Sequence, residues 1–531
     1  MIARPFSYNP SKIIISGTTQ VGNIAIGISA IDYSGNPGGV KWWNGPNEEL
    51  GYVICCPTPT MQGLSWNNTG DTYSRTDSIS GVTPSQSAGN VNLPIHADMK
   101  RCVVLDNGVV NYYIDPINPI NKQGVDFMLV GVTTSTTTGH LIDTGGNFIV
   151  NGVKVGQYVK NVTSSTYAMI TSVAATDLTL GIDIITSGQN YSIGSAIYNG
   201  DDGNVMVQIP KFYYYQDLSG TTKTWKISKY QISGYTLHPA FFKDGIEVDY
   251  RYMSAFEGSM YDVSISGFTT SANIPVQMYD AGDKLKSVAN QWPKTSETRA
   301  AYRSMAQSNG TIWRQMDYYL LSAVQLLYLI EYGNFNSQSM IGAGRTNLSG
   351  GGWTADSYIG RTGFSVKDGN NTASDQVGGS SGYMTDYMSY RGIENFFGNV
   401  WKFIDGMTID MTLNNTTSPI PIYVSNNSSY FADTGSVNMQ LLVNETNIGA
   451  TNEGYISNIE NCTGFIPSAV GASSTTKLTD YLMQYSSNGN GWRAPWFGAS
   501  STNGSIAGCF AFYASNAWSV FAVNVSARLC L

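Results

Sequence analysis

The sequence predicts a β-rich α+β fold, and three observations carry that reading. Charged residues make up only 12% of the chain, roughly half the usual share of about 25%. Gly, Ser, Thr, Asn and Tyr take their place, with 57 Gly and 34 Tyr, a mixture that disfavours long surface helices and suits strands and turns. Helical signals are confined to 295–332, with short strand-like runs and turn clusters on either side. The hydrophobic share of 42% is enough to bury sizeable cores, so low charge does not mean disorder. A length of 531 residues suggests about three domains.

In 1–92, apolar runs at 13–15 and 24–28 read as strands. The segment between Tyr33 and Tyr52 is dense in Gly, Pro and Trp, and folds as ordered loops packed by aromatics. Trp42 and Trp43 within it look like interface anchors, so 1–92 is expected to attach the chain to a larger assembly. Residues 58–92 are rich in Ser, Thr, Asn and Gly and read as loop or linker. Residues 93–120 and 201–260 form a strand-rich stem. Asp106-Asn107-Gly108, between strands at 102–105 and 109–114, is a strong hairpin signal, and Pro116 and Pro119 end the second strand. Residues 121–200 read as a small inserted β module, with runs at 125–132, 147–150, 155–159, 167–173 and 177–180. A strand at 205–209 is expected to resume the sheet interrupted near Asn118, which places the module at a loop tip.

Residues 261–531 read as a mostly-β domain wrapped on two helices. Thr295 is the expected N-cap of a helix running to Asn309, with Gly310 at its stop. Asp317 caps a second helix, 318–332, ended by Gly333. Leu320, Val324, Leu327 and Tyr328 recur at helical spacing, and Leu321, Leu326 and Leu329 make the other face apolar as well. This helix should be buried nearly all round.

Several function classes find no support. The net charge is −8 and no basic run of five occurs, so nucleic acid is not an expected partner. The apolar stretch 320–330 is too short to span a bilayer, and the first ten residues lack the apolar core of a secretory signal. Synthesis in a cytoplasm and no membrane insertion are expected. The six Cys form no C-x-x-C pair and are expected to be reduced, buried thiols. His96, His140 and His238 are widely separated, and His238, before Pro239 in an aromatic setting, reads as structural. Asp201, Asp202 and Asp405 read as turn formers rather than an acid/base pair. Gly350–Gly352 is not followed by Lys and Ser or Thr, so it is no phosphate loop. No catalytic residue, cofactor or metal is expected.

The run 391–401, ending Gly398-Asn399-Val400-Trp401, resembles the G-N-V-W segment shared by formylglycine-generating-enzyme-like domains and the C-type-lectin domains of phage tropism proteins. Where that family continues with an acidic residue and Trp, this chain has Lys402-Phe403. The stretches 205–214, 237–242 and 325–332 resemble phage tail-fibre sequences, and the N-terminal third looks like virion proteins of phages infecting gut Bacteroidetes. The end of the chain, from Gly491-Trp492-Arg493 to Val525-Ser526-Ala527-Arg528-Leu529, resembles the terminal segment of targets of diversity-generating retroelements. The resemblance implies a C-terminal C-type-lectin-like domain, here 261–531, whose terminal segment is the ligand-facing surface. It also implies a virion location, homotrimeric assembly, and docking of 1–92 onto other virion proteins through Trp42 and Trp43.

Within 497–521, Phe497, Ser500, Thr502, Asn503, Tyr513, Asn516, Trp518 and Ser519 are the expected contacts for a host-surface glycan or protein. Tyr, Trp, Ser and Asn combine rigid contact area with adaptable hydrogen bonding. Phe510 and Phe512, by alternation, are expected in the core. The sequence leaves two alternatives open: a purely structural head, collar or tail-fibre component, and a lectin-fold enzyme.

Overall fold

The structure, a computed structural model, describes residues 41–44, 50–53, 61–76, 93–268, 279–348, 359–366, 387–412, 420–445, 453–483 and 491–531. The readings at 13–15, at 24–28 and at Cys55 and Cys56 lie outside them. The fold is β-rich α+β, built from several small sheets and few helices.

Its spine is the helix Tyr318–Tyr332. Asp317 Oδ1 accepts from the Leu320 N–H at 2.9 Å, which satisfies one of the orphan donors of the first turn. Gly333 closes the other end at φ 58°, a left-handed conformation that glycine adopts without a Cβ clash. All fifteen side chains are buried. The preceding helix spans Arg299–Gln307, and its cap is Thr298, accepting from the Ala301 N–H, rather than the expected Thr295. The helix cannot begin at Thr295 because Ser296 has φ 61°, outside the right-handed helical region, and its N–H donates to Ala522.

Three sheets make up much of the body, and the first packs directly on this helix. The five-stranded one runs Thr236–Leu237, Tyr213–Asp217, Thr222–Ser228, Met61–Asn67, Thr72–Arg75. Its last two strands correct the reading of 58–92 as loop or linker. Leu64 and Trp66 alternate inward and are fully buried, and the Arg75 guanidinium donates to the Ile330 carbonyl at 2.7 Å. The six-stranded sheet runs Arg314–Gln315, Leu529–Cys530, Tyr250–Ser254, Asn204–Pro210, Lys100–Val104, Val110–Tyr113. Asn204–Pro210 therefore does continue the sheet that the chain leaves near Asn118, and the Asp106-Asn107-Gly108 hairpin forms, with the Leu105 N–H donating to Val109 at 2.9 Å. The seven-stranded sheet runs Pro467–Val470, Gly454–Ile459, Tyr481–Met483, Phe512–Tyr513, Trp496–Phe497, Trp401–Phe403, Val525–Ser526. A hydrophobic core cluster draws on residues from Leu64 to Cys530, and a second, from Cys102 to Leu531, takes in Trp401, Trp496 and Val525.

Residues 129–193 build a separate seven-stranded sheet, ordered Leu129–Val132, Asn190–Ile193, Tyr158–Asn161, Thr166–Val173, Asp177–Leu180, His140–Ile142, Ser135–Thr137. The run 147–150, expected as a strand, is a turn: Asn147 has φ 45°, while Phe148 drops into the module's core.

The body has long irregular connections, and buried arginines tie them. Arg101, Arg251, Arg299, Arg345, Arg391 and Arg528 rank among the largest fully buried side chains. Arg528 donates to the carbonyls of Ser254, Glu394 and Asn395. Arg101 reaches Gly392 and Ser365, and Arg299 reaches Ile404, Met407 and Ala432. A guanidinium presents five donors in a fixed fork, so one side chain satisfies several loop carbonyls that no ladder pairs. Two arginines also meet buried acids: Arg391 grips Glu331 at 2.5 and 3.0 Å, and Arg251 meets Asp317 at 2.5 Å. Asp405, expected as a turn former, does bond the Gly406 N–H, but it is fully buried and also takes a bidentate pair from Arg303 at 2.7 and 2.8 Å.

Candidate functional site

The site is built outward from Gly398-Asn399-Val400-Trp401. Gly398 has φ 76°, and a Cβ there would stand 2.7 Å from the Arg345 carbonyl. Its N–H donates to the Gly498 carbonyl at 2.9 Å. Asn399, also left-handed, bonds Gly360 N–H through Oδ1 at 2.7 Å and donates its amide to Glu257. Lys402, where the resembled family has an acid, is buried and pairs with Glu257 at 3.0 Å while donating to Gly398. Burial lowers its ammonium to about 8, against the attraction of Glu257. These contacts fix the strand Trp401–Phe403.

That strand clamps both ends of the terminal segment. It pairs antiparallel with Trp496–Phe497 and parallel with Val525–Ser526. The chain between them leaves the sheet, lends it Phe512–Tyr513, and returns. Two loops of this excursion reach the surface.

In the loop 500–507, Asn503 Oδ1 accepts from the Ser500 N–H and hydroxyl at 2.8 and 2.5 Å. The Gln338 amide holds the Gly504 and Ala507 carbonyls at 2.9 and 2.7 Å. Thr502 and Ser505 are exposed, and Ser505 shares a 2.8 Å hydrogen bond with the Tyr455 hydroxyl. The loop 515–524 rests on other neighbours: Ala494 N–H bonds Asn516, and Ser296 N–H bonds Ala522. Here Trp518 is 40% exposed and Phe521 58%. Ser519 is exposed beside them.

Of the eight expected contacts, Thr502, Trp518 and Ser519 are exposed, and Asn503, Tyr513 and Asn516 are half-buried. Phe497 and Ser500 are corrections: both are buried, Phe497 against Phe396 and Ser500 by its bonds to Asn503. Tyr513 serves packing as well as surface, its ring lying 5.0 Å from Trp496 and 5.5 Å from Trp401. Phe510 and Phe512 are buried. Phe521 was missed because Val520-Phe521-Ala522-Val523 has the composition of a core strand. Trp42 and Trp43 lie on the strand Lys41–Asn44, paired with Leu50–Val53.

Among the described residues, the cysteines and two of the three histidines lie inside, while His140 is partly exposed and meets Asp177 at 2.9 Å. Cys102, Cys462, Cys509 and Cys530 are buried, and burial pushes the Cys530 thiol up to about 11 and those of Cys102 and Cys509 well above their usual range. Burial holds His96 down to about 4 and His238 to about 3. His238 Nδ1 accepts from the Ala240 N–H at 3.3 Å within a cage of Phe212, Tyr214 and Phe241. Among the described residues no group of three or more His, Cys, Asp or Glu is placed to hold a metal ion, and no helix is long and apolar enough to cross a membrane. No protein-family model matches the chain, and no curated protein matches it.

Proposed function

We propose that the chain is an adhesive structural protein of a bacteriophage particle, presenting a lectin-like face for attachment to a host-surface glycan or protein. The observation that supports this best is the exposure of Trp518 and Phe521 on a loop clamped at both ends to one buried strand. Large apolar side chains held at the surface by a rigid base suit an interface, because little ordering entropy is lost on contact.

The same reading has the chain assemble as a homotrimer and dock through its N-terminal region, expected as 1–92 and narrowed here to the residues before the core strand Met61–Asn67. The module's exposed Val130, Val132, Ile149 and Val150 suit burial in a larger particle. The truncation that tests docking must stop before Met61, because the strand Met61–Asn67 belongs to the core. The decisive experiment is saturable binding of the labelled full chain to intact cells from a panel of gut Bacteroidetes strains. Binding to at least one strain, competed by unlabelled protein, is expected; no binding to any strain, with normal incorporation of the truncated chain into particles, refutes the proposal.

A further inference from the structure

A cleft of about 310 Å³ opens between the hairpin Phe242–Lys243/Ile246–Glu247 and the connection from Ile420–Val424 to Gln440–Glu445. Its size is at the small end of ligand pockets, which span roughly 300–1,000 Å³. Phe242 and Tyr430 line it and stay 45% and 37% exposed. Tyr319, from the first turn of the buried helix, also lines it. Asn426, Asn438 and Gln440 complete the wall, and no described contact occupies their side-chain amides.

The charged neighbours are turned to other tasks. Lys243 Nζ donates to the Ile312 carbonyl at 3.1 Å. Asp244 accepts from the Ser428 N–H at 2.8 Å and pairs with Arg314. The lining itself carries neither Asp, Glu, Lys nor Arg. The loop is also fixed in place: the Ser425 N–H bonds Gly406 at 2.9 Å, Asn427 N–H bonds the Ser425 hydroxyl at 3.0 Å, and the Asp244 N–H bonds Asn426 at 3.1 Å.

We propose that this cleft binds a neutral hexopyranose unit of a glycan, as a site separate from loops 500–507 and 515–524. The chemistry matches on three counts. A pyranose has a face of C–H groups, whose weakly positive hydrogens suit the negative faces of Phe242 and Tyr430. Its hydroxyls donate and accept, as do the three free amides. An uncharged wall offers an anionic or cationic ligand no counter-charge, so the absence of charge selects for neutral sugars. The pinned loop supplies pre-organisation, which spares the ordering cost of binding.

The test is saturation-transfer NMR on the full chain with the methyl glycosides of glucose, galactose, mannose and N-acetylglucosamine. We expect transfer to at least one of them, reduced at least fivefold in Phe242→Ala/Tyr430→Ala and in Asn438→Ala/Gln440→Ala. It should be unchanged in Val130→Ala/Val150→Ala, exposed on the inserted module, whereas transfer lost in Trp518→Ala/Phe521→Ala but kept in the cleft variants would assign the sugar to the terminal loops and overturn the proposal. Should the aromatic variant fold poorly, the amide variant decides alone, since Asn438 and Gln440 are exposed. Transfer to none of the four sugars, or transfer that survives the amide variant, overturns the proposal.

Discussion

In the module at 129–193, every strand's ladder neighbour is another strand of the same module, and its buried polar side chains, Thr133, Gln157, Asn161 and Ser192, carry no charge. The surrounding body is β-rich too, yet much of it is loop, and its interior holds arginines, acids and their carbonyl partners. A ladder satisfies backbone groups locally, whereas a loop leaves them to be satisfied from elsewhere. The body meets that need with guanidinium forks. The comparison explains how a chain with so little charge can display long surface loops: much of its charge works inside, fixing the connections on which those loops stand.

Breaking a staple should have the largest effect. Arg391→Met leaves Glu331 buried without its partner, and a stability loss of about 3–5 kcal/mol is expected by denaturant titration. Adding Glu331→Gln should recover part of it, because the uncompensated charge is then gone. Arg391→Met alone costing under ~1 kcal/mol would show that the pair does not hold the body. The module should respond differently. Phe148→Ala removes a fully buried ring from an apolar core and should cost about 3 kcal/mol, confined to the module. Hydrogen exchange should then show amides of 129–193 opening while those of the helix Tyr318–Tyr332 stay protected; equal loss in both would mean the two regions unfold as one.

A smaller effect is expected from pH. The folded state holds His238 neutral down to about 3, below its ordinary value near 6.5. The unfolded chain therefore takes up a proton in this window that the folded chain refuses, and the stability His238 contributes above pH 6.5 is lost as pH falls toward 3. His238→Asn keeps an acceptor for the Ala240 N–H and removes that proton. Its melting temperature should fall less than the parent's between pH 7 and pH 4.5, and a fall of equal size would contradict the burial argument.

Local signals were the legible part of the sequence. Asp317 and Gly333 bound the buried helix because a cap needs only nearby residues, and Asp106-Asn107-Gly108 marks its hairpin for the same reason. The strands Met61–Asn67 and Thr72–Arg75 were hidden in a Ser-, Thr- and Asn-rich stretch, since their pairing partner, Thr222–Ser228, lies far along the chain. The arginine staples left no local trace: Arg528 bonds carbonyls more than a hundred residues away. At the site, residue type suggested the exposed Thr502, Trp518 and Ser519, but it could not separate Phe497, held inside by Phe396, from Phe521, left outside.

The account rests most on the claim that the terminal loops are a surface mounted on an independent frame. Trp518→Ala/Phe521→Ala tests it directly, measured side by side for melting temperature and for binding of the full chain to a responsive strain. The account predicts a melting temperature within about 2 °C of the parent, since exposed side chains typically contribute within ±0.5 kcal/mol, and at least tenfold weaker binding, as expected when aromatic anchors are lost. A large fall in melting temperature, or unchanged cell binding in a folded variant, would contradict it.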